Sequence, residues 1–151
     1  MDGDGYGDVL IGAYFYNDMQ GRAYLILGPV SGTQELDDSH GVESAPGMSA
    51  AVGQDVSLEQ DLDRNGRSDV VIGAPGAYGA PYQGAVLVFY EPFEGAVDGF
   101  DEAEAVIHSE TTYDRPWTGF RLAPAGDINA DGYDDIYIFG EFEYLVFGGE
   151  R

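Results

Sequence analysis

Short apolar runs recur along this chain, and each of the clearest ones follows an acidic, glycine-containing segment. These runs are Val9–Ala13, Val70–Ala74 and Ile136–Phe139. They are rich in Ile and Val and too short for buried helices, so we predict β-strands that begin at the preceding carboxylate, at Asp8–Ala13, Asp69–Ala74 and Asp135–Phe139. The middle run has no polar residue, which predicts a strand buried on both faces.

Further apolar runs predict the remaining strands of a repeated unit. A strand that follows each of the three runs is expected at Gly21–Leu27, Gly84–Tyr90 and Tyr144–Phe147. A strand that precedes the acidic segment is expected at Ala51–Leu58 and at Thr118–Ala123. A fourth strand is expected at Glu102–His108. The first copy lacks a first strand, and its fourth is not evident between Val30 and Met48. With 23 Gly and 7 Pro in the chain, long helices are disfavoured. The pattern predicts an all-β chain of four-stranded antiparallel sheets.

The acidic segments are copies of one nine-residue motif. It reads Asp-Leu-Asp-Arg-Asn-Gly-Arg-Ser-Asp at residues 61–69 (loop two) and Asp-Ile-Asn-Ala-Asp-Gly-Tyr-Asp-Asp at residues 127–135 (loop three). A shortened copy, Asp-Gly-Asp-Gly-Tyr-Gly-Asp, occupies residues 2–8 (loop one). Glycine at position 6 allows the chain to turn through left-handed backbone conformations.

Oxygen side chains at positions 1, 3, 5 and 9, with a backbone carbonyl at position 7, can converge on one hard cation. Calcium takes such an all-oxygen shell, so we predict Ca²⁺ as the cofactor. The candidate ligands are Asp61, Asp63, Asn65, Arg67 (carbonyl) and Asp69 in loop two, Asp127, Asn129, Asp131, Tyr133 (carbonyl) and Asp135 in loop three, and Asp2, Asp4, Tyr6 (carbonyl) and Asp8 in loop one.

The motif has two other interpretations. An EF-hand needs a bidentate Glu at position 12, where this chain has Ile11, Ile72 and Ile138 inside apolar strands. A plain hairpin turn accounts for the Asp-Gly and Asn-Gly pairs, but it does not explain four oxygen side chains in both complete copies. Loop one would need a position-1 Asp before Met1. We therefore expect a chain that starts inside a repeat of a longer protein, and a first site that is weak, empty or completed from elsewhere.

Charge and composition narrow the function. The 151 residues suit one domain, and 28 acidic against 6 basic residues give a formal charge of -22. Such a charge opposes binding to nucleic acid, which needs Lys and Arg against phosphate. Two calcium ions would add four charges and leave -18. The chain has no Cys for disulfides or thiolate metal sites. With no long apolar run, we expect no membrane insertion.

The repeat spacing and the residues around the loops carry a family resemblance. The ninth-position residues Asp8, Asp69 and Asp135 are 61 and 66 residues apart, a spacing typical of propeller blades when strands occur throughout. Gly119-Phe120 precedes loop three, and Ile72-Gly73-Ala74-Pro75 follows loop two. The chain resembles the FG-GAP repeats of integrin α-subunit β-propellers and their bacterial relatives. It departs from them at Val52-Gly53, Ala13-Tyr14 and Phe139-Gly140.

The resemblance implies about two and a half propeller blades, an incomplete ring. We expect repeats at residues 1–50 (lacking the first strand), 51–116 (complete) and 117–151 (lacking the fourth strand). Open terminal blades expose strand edges, so we expect self-association that completes the propeller. The resemblance also implies that the calcium loops lie opposite the ligand face and stiffen the blades.

The expected function is a calcium-binding adhesion or ligand-binding module, secreted or at the cell surface. Aromatic connections at Tyr14–Tyr16 and Tyr78–Tyr82 suit a protein or carbohydrate ligand, although these rings could instead pack within the blades. A non-catalytic accessory domain of a secreted enzyme and an architectural spacer are the alternatives. No nucleophile motif or phosphate loop is present, and neither the two histidines nor the pair Glu141 and Glu143 forms a recognisable site. We therefore predict that the chain is not an enzyme.

Overall fold

The computed structural model describes residues 1–36, 41–43, 49–77, 84–93, 95–109 and 117–151. These residues form an all-β arrangement with two four-residue turns between strands, the left-handed turn α1 (Tyr16–Met19) and the helical turn α2 (Gly99–Glu102). The strands are β1 (Val9–Ala13), β2 (Arg22–Ile26), β3 (Gly41–Glu43), β4 (Val56–Ser57), β5 (Val70–Ala74), β6 (Ala85–Phe89), β7 (Val97–Asp98), β8 (Ala105–His108), β9 (Arg121–Gly126), β10 (Asp135–Phe139) and β11 (Glu143–Val146).

The strands form three sheets of the kind found in propeller blades. Sheet one has the order β1-β2-β3-β7, sheet two β4-β5-β6-β8, and sheet three β11-β10-β9. All pairings are antiparallel except that of β3 with β7. Strand β7 lies within the predicted second repeat but extends sheet one, a pairing that the sequence pattern did not predict.

Two predicted strands are shorter than expected by three residues or more, and the strand expected at Thr118–Ala123 begins only at Arg121. The segment Ala51–Leu58 is extended only at β4, because Ala51 and Gly53 adopt positive φ angles of 53° and 81° and bend the chain. The start of the predicted strand Glu102–His108 is also not extended, since Glu102 closes the turn α2. Asp98 caps that turn by accepting a hydrogen bond from the Phe100 N–H at 3.0 Å.

The apolar strands form two hydrophobic clusters that the sheets share. The larger cluster packs sheets one and two together and includes Leu25, Ile72 and Leu87, all fully buried. The smaller cluster packs sheet two on sheet three and includes Val71 and Ile136. Strand β5 is buried along its whole length, as its unbroken apolar sequence predicted. Because β5 contributes to both clusters, sheet two is the central layer.

Adjacent sheets approach so closely that glycine is required where their backbones meet. A Cβ on Gly12 would lie 2.2 Å from the Gly53 carbonyl oxygen, and a Cβ on Gly73 would lie 2.0 Å from the Gly119 carbonyl oxygen. Gly12 and Gly73 stand four residues after the ninth position of their loops, and Gly53 and Gly119 stand eight residues before the next loop. The same contact is therefore made twice, and we call it the glycine joint.

One further glycine completes each glycine joint. Gly21 bridges in parallel to Val52, and Gly84 bridges in parallel to Thr118. A Cβ on either glycine would lie within 2.4 Å of its partner's backbone. In sheet three the equivalent positions are Phe139, at the end of β10, and Glu141, in the turn between β10 and β11. Sheet three thus lacks the glycines with which sheets one and two receive the following sheet.

Candidate metal centre

Loop two lies between β4 and β5 and is folded around its own carboxylates. Asp61 accepts hydrogen bonds from the N–H groups of Asn65 and Gly66, both at 2.9 Å. Asp63 accepts from the Asn65 N–H at 3.1 Å, and the Asn65 side-chain oxygen accepts from the Arg67 N–H at 2.8 Å. These bonds turn the oxygen side chains towards the inside of the loop. The carboxylates of Asp61, Asp63 and Asp69 each place an oxygen within 4.8 Å of the others.

Loop three, between β9 and β10, repeats this pattern bond for bond. Asp127 accepts from the N–H groups of Asp131 at 2.9 Å and Gly132 at 2.8 Å. Asn129 accepts from the Asp131 N–H at 3.1 Å, and Asp131 accepts from the Tyr133 N–H at 3.0 Å. Position 3 is the amide of Asn129 here and the carboxylate of Asp63 in loop two. Positions 1, 3 and 9 of loop three therefore carry one negative charge fewer.

Loop one keeps the part of the pattern for which it has residues. The Asp4 N–H donates to Asp2 at 3.0 Å, and the Tyr6 N–H donates to Asp4 at 2.8 Å. These bonds correspond to the position-5 and position-7 bonds of the complete loops. Asp8, at position 9, accepts from the Gly28 N–H at 2.9 Å and lies 2.7 Å from the Met1 amino group. The predicted ligands of loop one are thus arranged as in the other loops, but the hydrogen bonds to a position-1 carboxylate are missing.

The ninth-position carboxylates are anchored at the base of each complete loop. One oxygen of Asp69 accepts from the Leu62 N–H at 2.6 Å, and one oxygen of Asp135 accepts from the Ile128 N–H at 2.9 Å. The second oxygen of Asp135 accepts from the Gly148 N–H at 3.1 Å. The second oxygen of Asp69 is buried and has no hydrogen-bond partner among the described residues. Burial, with Asp63 and Asp61 nearby, raises the pKa of Asp69 from 3.8 to about 7.

The residues of loop two fit a calcium ion. Oxygen ligands on opposite sides of one calcium ion are about 5 Å apart at the usual bond lengths, which matches the mutual approach of the three carboxylates within 4.8 Å. The unpartnered buried oxygen of Asp69 needs a positive partner, because an unpaired buried charge is destabilising. The guanidinium of Arg151 already lies against Asp63, where it serves as a cationic stand-in.

Arginine side chains lie between and around the loops. Arg151 also contacts Glu91 at 3.2 Å and Glu104 at 3.4 Å, and its guanidinium lies 4.9 Å from the centre of the Tyr90 ring. Arg67 pairs with Glu91 at 3.2 Å. The Arg64 guanidinium lies over Gly132 of loop three, where a Cβ would approach it to 2.7 Å. Three of the chain's six basic residues therefore lie at the acidic loops.

One residue missing from the sequence prediction connects the two complete loops. Asp134, at position 8 of loop three, accepts a hydrogen bond from the Asp61 N–H at 2.9 Å through its carboxylate. Its own N–H donates to the Asp61 carbonyl oxygen at 3.1 Å. The Asp134-Asp135 doublet, where the other loops have Gly7 and Ser68 at position 8, is the signal that could have drawn attention to it.

Comparison with known proteins agrees with this arrangement of sheets and loops. The profile of the FG-GAP repeat family matches residues 1–26 and 52–89. These two segments contain loops one and two with the strands that follow them. These two segments are FG-GAP repeats, and the chain is similar to integrin α subunits over most of its length.

Curated relatives extend the similarity over most of the chain. Integrin alpha-IIb of Mus musculus is 30% identical over 147 residues, covering 91% of this chain and 14% of the relative. Phosphatidylinositol-glycan-specific phospholipase D of Bos taurus is 30% identical over 154 residues, covering 94% of this chain and 18% of the relative. Integrin alpha pat-2 of Caenorhabditis briggsae is 28% identical over 158 residues, covering 91% and 12%. The chain thus spans less than a fifth of each relative.

The glycine joint explains the signature of these FG-GAP repeats. Each contact between sheets joins a glycine before a loop to a glycine in the strand that follows the preceding loop. The pairs are Gly53 with Gly12 and Gly119 with Gly73. Those positions belong to the FG and GAP parts of the pattern, respectively. The signature residues therefore hold one sheet against the next.

The connection between β1 and β2 exposes the predicted aromatic residues. Phe15 is 67% exposed, and Tyr14 and Tyr16 are also exposed, which does not agree with rings packed inside the blade. Three consecutive residues that follow, Asn17, Asp18 and Met19, have positive φ. Tyr78–Tyr82 and His40 lie outside the described residues.

A cavity of about 280 Å³ lies beside this connection, with Met19, Pro75 and Trp117 in its wall. Trp117 is exposed on one side and packs edge-on against Phe120 at a ring-centre distance of 5.7 Å. His108 is exposed at the end of β8 with its ring near the Ser109 carbonyl oxygen. Glu141 and Glu143 are both exposed. Among the described residues, no helix is long and apolar enough to span a membrane.

Proposed function

We propose that this chain is a calcium-stabilised propeller module of a secreted or cell-surface protein, in which it supports adhesion or ligand binding and catalyses no reaction. The observation that carries the proposal is the carboxylate cluster of Asp61, Asp63 and Asp69, with its buried, unpartnered oxygen. Loops two and three would each hold one ion through positions 1, 3, 5, 7 and 9, and loop one would bind more weakly.

The ion would act on the fold itself. Calcium neutralises carboxylates that repel one another, and it binds the folded loop better than the unfolded chain. By mass action, an ion at 100 times its dissociation constant stabilises the folded state by about 2.7 kcal/mol. Loop two links β4 to β5, and β5 is part of both hydrophobic clusters. Fixing this loop therefore stabilises the central sheet.

Thermal unfolding in calcium and in EDTA tests this mechanism. We expect calcium, and not an equal ionic strength of sodium chloride, to raise the melting temperature. Asp63→Ala should remove the part of that increase that is due to an ion in loop two and leave the part that is due to loop three. The matched control is Glu59→Ala, which removes an exposed acid next to loop two at a position that is no predicted ligand. An equal melting temperature in calcium and EDTA would refute the proposed function.

The ligand-binding part of the proposal rests on the exposed aromatic residues of the β1–β2 connection. Aromatic side chains offer large contact areas with little conformational entropy to lose, and they are enriched in protein interfaces. Protein ligands are favoured by the integrin relatives. Binding to arrays of glycans and of extracellular matrix proteins should be lost in Phe15→Ala and kept in Phe147→Ala, which truncates an exposed Phe after β11. Binding lost equally in both variants would contradict the assignment.

A second candidate function is a non-catalytic accessory domain of a secreted enzyme. The phosphatidylinositol-glycan-specific phospholipase D of Bos taurus, which aligns with 94% of this chain, favours it. The aligned segment is 18% of that protein. The test measures the activity of an enzyme that contains this domain, with the domain present and with it deleted. Activity that depends on calcium only when the domain is present would support the second candidate over the first.

Self-association is proposed at the edge of β1. In the described part of the chain β1 pairs only with β2, whereas β5 and β10 are paired on both sides. Its free edge borders a groove whose walls include Val9, Val56 and Leu122. An unpaired edge beside a groove can receive a strand from a second copy.

A further inference from the structure

Asp134 holds both backbone groups of Asp61, the first predicted ligand of loop two. The Asp61 N–H donates to the Asp134 carboxylate at 2.9 Å, and the Asp134 N–H donates to the Asp61 carbonyl at 3.1 Å. These are the only two hydrogen-bonding groups that a residue's backbone has. The carboxylate of Asp61 then closes loop two by accepting from Asn65 and Gly66. The position of Asp61 is therefore set by loop three.

Asp134 is itself placed by two predicted ligands of loop three. It lies between Tyr133, whose carbonyl is the position-7 ligand, and Asp135, the position-9 ligand. Asp135 is fixed by N–H groups of Ile128 and Gly148. An ion that binds the Tyr133 carbonyl and the Asp135 carboxylate restricts the residue between them. That restriction reaches Asp61 through two hydrogen bonds.

A second connection joins the loops at the same place. The Gly149 N–H donates to the Leu62 carbonyl oxygen at 2.9 Å, one residue after Asp61. Gly148 fits between the loops without room for a side chain, since a Cβ there would lie 2.4 Å from the Asp134 carbonyl and 2.6 Å from the Leu62 carbonyl. The two loops and the chain after β11 form one packed unit, so that loop three cannot move without displacing loop two.

We propose that Asp134 is a positioning residue that couples the two predicted calcium sites, so that an ion in loop three increases the affinity of loop two. The proposal rests on the proposed function. Its physical basis is preorganisation: ordering loop three fixes Asp61 before the second ion arrives, so less ordering remains to be done. The negative charge of Asp134, which belongs to loop three and contacts Asp61 of loop two, would also reduce the repulsion between ions in the two loops.

A double-mutant cycle on calcium affinity tests the coupling. Asp131→Ala silences loop three, and calcium titration calorimetry then measures loop two. We expect this silencing to weaken loop two about tenfold in the parent protein, within the usual range of coupling between sites. In the Asp134→Ala background the same silencing should change the affinity less than about twofold. Ser68→Ala, at the same position of loop two, is the matched control background and should keep the tenfold effect.

Asp134→Asn separates the two contributions. The amide keeps an acceptor for the Asp61 N–H but carries no charge. If silencing loop three weakens loop two less in this variant than in the parent protein, the difference is the contribution of the Asp134 charge to the coupling. If silencing loop three weakens loop two equally in the parent and Asp134→Ala backgrounds, the role of Asp134 in the coupling is refuted, and if it has no effect in the parent protein, the coupling itself is refuted.

Hydrogen exchange in EDTA distinguishes failure of this inference from failure of the proposed function. The Asp61 amide should exchange faster in Asp134→Ala than in the parent protein, and Ser68→Ala should leave it unchanged. Unchanged exchange in Asp134→Ala would overturn the positioning role, with or without calcium. Faster exchange without calcium binding in any variant would leave Asp134 as a structural residue and would refute both the coupling and the proposed function.

Discussion

Gly73 and Gly119 meet across sheets two and three at a distance that excludes any side chain, since a Cβ on Gly73 would lie 2.0 Å from the Gly119 carbonyl oxygen. Gly12 and Gly53 make the same contact between sheets one and two. Both partners are backbone, so neither can move aside as the end of a flexible side chain could. Packing between blades therefore depends on the absence of a single carbon atom.

Gly73→Ala should destabilise the domain by about 3 kcal/mol, the upper part of the range for overpacked cores. The added methyl group must push sheet three away from sheet two and open the smaller hydrophobic cluster. Chemical denaturation, with the midpoint and the slope fitted separately, measures the change.

Gly149→Ala is the matched control for that substitution. A Cβ at Gly149 meets nothing within 4 Å, its backbone is not left-handed, and its N–H is retained. Such a Gly→Ala change is neutral or stabilises by up to about 1 kcal/mol. Equal losses in the two variants would mean that the glycine joint does not carry the packing between sheets.

Asp69→Asn should have opposite effects in the presence and absence of calcium. Without the ion, it removes a buried carboxylate that lies near Asp63 and Asp61, while the amide oxygen can still accept from the Leu62 N–H. We expect a higher melting temperature in EDTA and a smaller increase on adding calcium. Differential scanning calorimetry under both conditions measures the two effects.

Asp135→Asn provides the contrast. Both oxygens of Asp135 accept N–H groups, so an amide nitrogen would face one donor and leave it unpaired. This variant should lower the melting temperature in EDTA as well as in calcium. If both variants change the EDTA melting temperature in the same direction, the different environments of the two carboxylates are not what sets their effect.

Arg151→Ala should strengthen calcium binding by loop two about threefold at low salt, because a positive charge and a competitor for Asp63 are both removed. The effect should shrink in high salt, where exposed charges are screened. Arg121→Ala removes an exposed arginine of β9 and is the control. Calcium titrations at two ionic strengths measure both variants. A weaker affinity in Arg151→Ala would indicate that the guanidinium organises the loop rather than competing with the ion.

Val9→Lys should reduce self-association if a second copy pairs with the edge of β1. Val9 is exposed at the start of that strand, and a lysine on an edge strand disfavours pairing with another chain. Thr33→Lys adds the same charge at an exposed position outside the strands. Light scattering over a concentration series should show a smaller mass only for Val9→Lys. A parent protein that is monomeric at every concentration would contradict the association itself.

Local patterns carried most of the sheet prediction. The bounds of β10 agree with the predicted strand, and those of β1 and β5 differ by one residue at most, since an apolar run between an acidic loop and a glycine has few alternatives. The hydrogen bonds within the loops also follow from local spacing. The shortened β4 and the parallel pairing of β7 with β3 depend on contacts between distant segments, which a periodic pattern does not encode.

The importance of Asp134 was missed for the same reason. Position 8 is no calcium ligand in the motif, so an acid there counted only towards the net charge. Its role arises because loop three lies against Asp61, 73 residues earlier in the chain. The exposure of the residues at position 2 of the loops also depends on contacts between distant segments. Leu62 is 6% exposed and Ile128 is 52% exposed, although they occupy equivalent positions.

The unequal distribution of joint glycines gives the three sheets a fixed order. Sheet two has joint glycines on both sides: Gly53 contacts the preceding sheet, and Gly73 and Gly84 contact the following one. Sheet three has Gly119 for the preceding sheet, but Phe139 and Glu141 stand where a following sheet would have to enter. An engineered tandem array could therefore be lengthened by duplicating the segment that forms sheet two. A duplicate of sheet three would stop such an array from growing until Phe139 and Glu141 were both replaced by glycine.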